Sequence, residues 1–171
     1  MPTIHLDLNQ SILKGGQRLP LALAHRTTDA VALALSKNPP PKGGRGVWLV
    51  SVAFVGPKQM QSINRHYRGK DRLTDVLSFP LQNPPAKGGR GGAAEWGQGG
   101  RGVVGEVLIS YDQARRQALE RGHATRDEVV FLLVHGLLHL FGFDHERPVD
   151  AKQMFPLQER ILKSLSIDSR L

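Results

Sequence analysis

The stretch VVFLLVHGLLHLFGFDH, residues 129–145, decides the fold of this chain. Wound into a helix, residues 129–140 are apolar on nearly every side, which is typical of a helix surrounded by other elements. Burial of one leucine side chain stabilises a fold by roughly 1.5 to 3 kcal/mol, so this segment predicts the centre of the core. Thr125 and Glu128 are spaced as a capping box and predict where the helix begins.

Three histidines interrupt this apolar segment at a spacing that suits a metal ion. His135 and His139 are four residues apart, so both project from one helix face and can reach a common ion. Gly142 can adopt the left-handed conformation that ends a helix, which lets the chain reverse and bring His145 to the same point. Without a metal, each imidazole in this leucine-rich segment would need its own buried partner. The pattern therefore predicts one metal ion, zinc, on these three side chains.

Three protein ligands are the number found in catalytic rather than structural zinc sites. Zinc takes four ligands, so one position remains open for water. Metzincin peptidases share this histidine spacing, but a general-base glutamate follows their first histidine, where this chain has Gly136. The sequence therefore favours a metal-dependent hydrolase and argues against peptide hydrolysis by the metzincin route.

Composition indicates one soluble domain with an anionic partner. A chain of 171 residues, 40% of them hydrophobic, can build one core, so we expect a single domain over residues 1–171. The net charge of +8 favours nucleic acid as a partner, although such an excess also aids solubility. The chain has no cysteine, which excludes disulfides and thiolate ligands. We find no signal peptide or membrane span and expect a cytoplasmic protein.

Strand and helix signals alternate along the rest of the chain. Strands are predicted over residues 4–8, 47–55, 76–79 and 103–110. Further helices are predicted over residues 19–35, 57–68, 111–121 and from residue 148 onward, where the last one directs Met154, Phe155, Leu157, Ile161 and Leu162 to the core. Segments rich in glycine and proline, at residues 39–46 and 83–102, predict flexible loops. The expected fold is α+β: a small mixed sheet of about four strands, packed by about five helices with the metal helix at the centre.

The chain resembles the YbeY family of bacterial endoribonucleases, which are ribosomal RNA maturation factors. The resemblance covers roughly residues 47–165 and is carried by these features: H-G-x-L-H-L-x-G-x-D-H at 135–145, TDVLSFP at 74–80, GEVLIS at 105–110, Asn64, Tyr67, Arg68 and residues 154–158. It implies zinc on His135, His139 and His145. It also implies a functionally required arginine, Arg68, near the metal, with Arg68 and His139 as the catalytic residues.

Arg68 has a second, plainer interpretation. From position alone, an arginine at the end of a helix is an exposed side chain favoured by the helix dipole. Its permanent charge and planar fork also match a phosphate group, and beside a metal it would oppose charge developing there. The family resemblance favours the phosphate interpretation. It implies a single-strand-specific endoribonuclease that matures the 3′ end of 16S ribosomal RNA and serves ribosome quality control, with the small ribosomal subunit as partner.

Two departures from the family pattern and two rival functions remain open. Glu106 stands where the family usually has aspartate, which leaves a base role for it in doubt, and a glycine-rich insertion separates Pro80 from Gly105. The first rival function is another zinc hydrolase, acting on peptides or small molecules. The second is a ribosome-associated binding module in which zinc only braces the fold.

Overall fold

The structure, a computed structural model, describes residues 3–38, 47–81 and 101–168. These residues contain four strands and five α-helices. In chain order these are β1 (Thr3–Asn9), α1 (Leu21–Lys37), β2 (Val47–Phe54), α2 (Pro57–Arg68), β3 (Val76–Pro80), β4 (Arg101–Ile109), α3 (Tyr111–Arg121), α4 (Thr125–Leu140) and α5 (Pro148–Ser164). The α+β prediction is confirmed. None of the helices in these segments is long and apolar enough to cross a membrane.

The strands form one mixed sheet in the order β1-β2-β4-β3. β1 and β4 both run parallel to β2, while β3 pairs antiparallel with β4 at the edge of the sheet. Alternate residues of β2, Trp48, Val50 and Val52, are buried, as expected of a strand with one face toward the core. The edge strand β3, the residues just before it and the histidines of α4 line one cleft.

α4 is the central helix, as its sequence predicts. It packs against β3 and β4 on the sheet and against α1, α3 and α5. Buried leucines point outward around it, and Phe141, just beyond its end, packs on Trp48 of β2 with ring centroids 4.6 Å apart. The burial of its apolar side chains therefore holds α4 in place.

Gly136 lets α4 approach the sheet at the level of the histidines. A Cβ atom built on Gly136 would lie 2.6 Å from Cγ1 of Val107 and 3.2 Å from Oγ of Ser78. The Ser78 hydroxyl donates a hydrogen bond of 3.1 Å to the Gly136 carbonyl, which ties β3 to α4. Any side chain at position 136, including the glutamate of metzincins, would therefore have to displace Val107 and Ser78.

Two sequence predictions about local structure are wrong. Ala124 is the residue that precedes the first turn of α4, and the structure shows no capping box there. Glu128 is fully buried, and its carboxylate binds side chains and not the backbone at the helix start. Its carboxylate lies 3.1 Å from Nη1 of Arg121 and 2.6 Å from Nε2 of His123. Phe155 is 48% exposed and does not enter the core.

The two predicted flexible loops fall largely outside the described residues. Residues 39–46 and 83–100 lie there, so the prediction of flexibility is not tested for them. Arg101 and Gly102, which were assigned to the second loop, instead begin β4. Their backbone pairs with β2 next to Val47 and Trp48, and this ladder extends the strand by two residues.

Candidate metal centre

The three histidines of the central segment converge on one point. Each offers a ring nitrogen, and these nitrogens all lie within 4.8 Å of one another. The Nε2 atoms of His135 and His139 are 3.1 Å apart, and the His145 ring lies 5.1 Å from the first ring and 5.0 Å from the second, between centroids. Helical spacing accounts for the first two rings, because residues four apart share a face.

A glycine turn and an aspartate bring His145 back to the other two rings. Gly142 has a φ of 86°, the left-handed conformation that its place after the helix predicted. The amides of Gly142 and Phe143 then donate to the last carbonyls of α4. One carboxylate oxygen of Asp144 accepts from the His145 amide at 2.7 Å and fixes the turn. Asp144 is therefore a turn residue in this structure.

The nitrogen cluster fits a tetrahedral metal. Two nitrogens that each lie 2.0 to 2.1 Å from a tetrahedral zinc ion are about 3.3 Å apart, close to the 3.1 Å between His135 and His139. An all-imidazole donor set suits zinc and related transition metals, whereas calcium and magnesium prefer oxygen. The three side chains could therefore hold one such ion.

Gln158 sets the tautomer of His135. Its Oε1 lies 2.9 Å from Nδ1 of the imidazole, and the glutamine is buried in α5. An amide oxygen can only accept, so Nδ1 carries the proton and Nε2 offers its lone pair to the cluster. Sequence analysis missed this residue. The sequence feature that could have identified it is a polar residue on an otherwise apolar face of α5, which also carries Met154, Leu157 and Ile161.

Burial keeps two of the imidazoles neutral. Burial lowers the pKa of His135. Burial, and after it the charges of neighbouring His135 and His145, lower the pKa of His139 to about 4. Metal ligands must be unprotonated, so at neutral pH these two rings are ready to bind an ion without releasing a proton.

Loss of the glutamine contact should weaken metal binding. We expect Gln158→Leu to lower zinc affinity by about 10- to 100-fold, because the His135 ring loses the group that orients it. Gln158→Glu retains an acceptor oxygen and should stay near the wild-type affinity. Competition titration against a chromophoric chelator measures both variants. Equal affinity for Gln158→Leu and wild type would show that the contact does not orient the ligand.

Arg68 faces the same cleft as the histidines. The cleft encloses about 490 Å³ and is lined by residues of the α2–β3 connection, of β3 and of the segment 135–146. The arginine is exposed and makes no ion pair with any described residue. Lys70 and Arg72 line the cleft beside it. Sequence analysis did not single out these two cations, although they follow Arg68 at alternate positions.

Asn64 and Gly69 place three cations, Arg68, Lys70 and Arg72, at the cleft that the histidines also line. These three residues are called the cationic wall below. α2 ends at Gly69, whose φ of 65° allows the chain to turn sharply. The buried Asn64 side chain donates a hydrogen bond of 2.8 Å to the carbonyl of Arg72, and its own carbonyl accepts from the Lys70 amide. The connection is thereby tied to α2, and its cations Lys70 and Arg72 line the cleft together with Arg68 at the end of α2.

The nearby carboxylates and hydroxyl have other partners or positions. Asp75 accepts from the Val76 amide and from the Gln117 side chain, at 2.8 and 2.9 Å, and so links the start of β3 to α3. Ser78 is held by Gly136. Glu106 is exposed on β4 and does not line the cleft, because neighbouring Val107 is the residue that faces α4. The structure gives Glu106 no place as a base at the histidines.

Comparison with known proteins identifies relatives along most of the chain. A family model described as Endoribonuclease YbeY matches residues 21–166. A protein of Lysinibacillus sphaericus named Endoribonuclease YbeY is 45% identical over 118 residues, which cover 69% of this chain and 73% of that protein. A protein of the same name from Carboxydothermus hydrogenoformans is 40% identical over 141 residues, 82% of this chain and 85% of the relative.

A solved structure supports the same relationship. The solution structure of a Thermotoga maritima protein superposes with a TM-score of 0.54 at 25% sequence identity, covering 100% of this chain and 96% of the other. The matched region contains the three histidines, Arg68 and Gln158. The sequence resemblance, the fold and the family match thus agree, and the chain belongs to the YbeY family of endoribonucleases.

Proposed function

We propose that this chain cuts single-stranded RNA at internal phosphodiester bonds, with one zinc ion held by His135, His139 and His145. The observation that carries the proposal is the juxtaposition of an open three-imidazole cluster with the exposed guanidinium of Arg68 in one cleft. The names of the relatives supply RNA as the substrate class. The whole chain, residues 1–171, acts as one domain in this proposal.

The metal ion and the residues of the cleft have different roles in this proposal. When bound, the ion supplies a Lewis acid for a phosphoryl oxygen and lowers the pKa of a water molecule. Arg68 binds a non-bridging phosphate oxygen through its planar fork and opposes the negative charge that grows during cleavage. His135 and His139 stay neutral at pH 7 because burial lowers their pKa values, so they act as ligands and not as acids.

The cationic wall favours a polyanion over a small molecule. Arg68, Lys70 and Arg72 all line the cleft, and a row of cations can bind successive phosphates of a nucleic acid. Among ribonucleic acids, we propose ribosomal RNA, with the small ribosomal subunit as partner and the cytoplasm as location, on the strength of the family resemblance. A peptidase reaction is disfavoured because Gly136 leaves no room for the general-base glutamate.

Substitution of Arg68 tests the proposal. We expect Arg68→Ala to lower kcat/KM for a ribosomal RNA fragment by about 10²- to 10³-fold, because one charged donor to the reacting phosphate is lost. Arg68→Lys should recover part of this loss, since it restores the charge without the fork. Zinc content, measured on the same samples, should remain at the wild-type level.

Arg116→Ala is the matched control, because Arg116 is an exposed arginine on α3 that pairs with Glu120 outside the cleft. Its cleavage rate should equal that of the wild type. A fully metal-loaded protein that cleaves no ribosomal RNA fragment, or cleaves it without dependence on Arg68, would overturn the proposed function.

A further inference from the structure

The ring of Phe155 is an exposed apolar surface at the metal centre. It stacks on His145 with ring centroids 5.5 Å apart and planes 22° apart, yet 48% of the residue remains exposed. Its helix neighbours Met154 and Leu157 are buried in the core. Core packing therefore does not account for an aromatic side chain at this position.

Phe131 provides the comparison within the same site. It stacks on His135 with an interplanar angle of 11°, but it is only partly exposed and packs against the main core. Its two roles, bracing a ligand and filling the core, explain its presence. Phe155 braces His145 in the same way, but its remaining surface faces solvent.

Lys152 lies on the helix face that carries Phe155. Residues three apart on a helix are neighbours, so the Lys152 and Phe155 side chains leave the helix side by side. It is exposed and forms no ion pair within segments 3–38, 47–81 and 101–168. Arg147, the preceding cation, is instead paired with Asp150 through two hydrogen bonds. An aromatic face beside an unpaired cation is the combination with which proteins hold a single-stranded base and its phosphate.

We propose that Phe155 is the stacking platform for the nucleobase next to the cleaved phosphate, and that Lys152 binds the adjoining phosphate. The inference rests on the proposed function and names the substrate feature that this site requires, a base free to leave its stack. Phe155 stacks on His145, which is itself one of the three histidines of the nitrogen cluster, so a base stacked on Phe155 would adjoin the nucleotide at the metal. Bases inside a duplex are not available to Phe155, which explains why a single strand is the substrate.

Kinetics on matched RNA substrates test the platform. Phe155→Leu keeps apolar bulk against His145 but removes the aromatic face, whereas Phe155→Trp retains it. With intact RNA, we expect Phe155→Leu to raise KM by about 5- to 100-fold, the measured range for loss of one base-aromatic stack, and Phe155→Trp to stay near wild type. With RNA abasic at the stacked position, wild type and Phe155→Leu should have equal KM. Leu119→Ala, an exposed apolar change on α3, should alter nothing.

Binding provides a readout independent of cleavage. A short single-stranded RNA carries 2-aminopurine next to the cut site, and its fluorescence is recorded in a stopped-flow mixer before cleavage begins. Quenching by wild type and by Phe155→Trp, but not by Phe155→Leu, is the expected result. Lys152→Ala should lower the salt dependence of binding by the equivalent of about one phosphate contact.

The outcomes separate the two proposals. If the wild type quenches 2-aminopurine and Phe155→Leu does not, but the wild type cuts no RNA, the platform stands and the proposed function fails. If the wild type cuts RNA while Phe155→Leu lowers zinc affinity and slows intact and abasic substrates equally, Phe155 only braces His145 and the platform is overturned. Equal quenching by wild type and Phe155→Leu would also overturn it.

Discussion

His139→Ala is expected to abolish metal binding and to lower RNA cleavage by about a thousandfold or more, while the apo protein stays folded. Removal of a residue that only orients a ligand costs about 10- to 100-fold in metal affinity, so removal of a ligand itself must cost more. His139 is the middle of the three histidines in sequence, and its Nε2 lies 3.1 Å from that of His135. Two imidazoles leave the ion too weakly held to act at working concentrations.

The fold should survive because α4 is held by apolar contacts and not by the histidines. Leu133, Leu137 and Leu138 are fully buried on α4, while the His139 side chain remains 26% exposed. The apo forms of variant and wild type should therefore unfold at similar temperatures. Zinc should raise the melting temperature of the wild type only, since a ligand stabilises the state that binds it.

This experiment also separates a catalytic ion from a bracing one. Metal content by mass spectrometry, cleavage and melting temperature are measured on the same preparations. Loss of the folded state in His139→Ala, together with an apo wild type that is unfolded, would contradict our expectation. It would support the rival function in which zinc braces a binding module.

The parts of the site that the sequence predicts are those set by local geometry. The spacing of His135 and His139 on a helix and the reversal at Gly142 depend on residues close in the chain, and the structure shows both. Gln158 was missed because its contact with His135 spans 23 residues and depends on how α5 packs on α4. In the sequence, a long-range contact of this kind is visible only as a polar residue on an otherwise apolar helix face.

The incorrect predictions share a physical cause, which is competition from tertiary contacts. The capping box was predicted from the spacing of Thr125 and Glu128, but the carboxylate is buried against Arg121 and His123. A buried charge needs charged or strongly polar partners more than a helix end needs one more hydrogen bond. Phe155 was assigned to the core by periodicity, whereas in the structure its ring stacks on His145 and stays half exposed.

Gly136→Glu, the change that would restore the metzincin glutamate, is expected to destabilise the fold by about 3 to 5 kcal/mol and to yield no peptidase. The Cβ alone would lie 2.6 Å from Cγ1 of Val107, which is fully buried in β4. The carboxylate would in addition be left against a strand with no cationic partner, and an unpaired buried charge carries a penalty of that size. Denaturant unfolding and a peptide-cleavage assay measure the two outcomes.

A smaller substitution isolates the steric part of this effect. Gly136→Ala should destabilise by about 1 to 3 kcal/mol, less the advantage of about 1 kcal/mol that alanine has over glycine in a helix. Gly56→Ala is the control, because a Cβ there meets no atom within 4 Å. In the Val107→Ala background, which removes the clashing methyl groups, Gly136→Ala should become neutral or stabilising. If Gly136→Ala lowers the free energy of unfolding by the same amount in both backgrounds, the requirement for glycine does not come from the close approach of α4 to Val107.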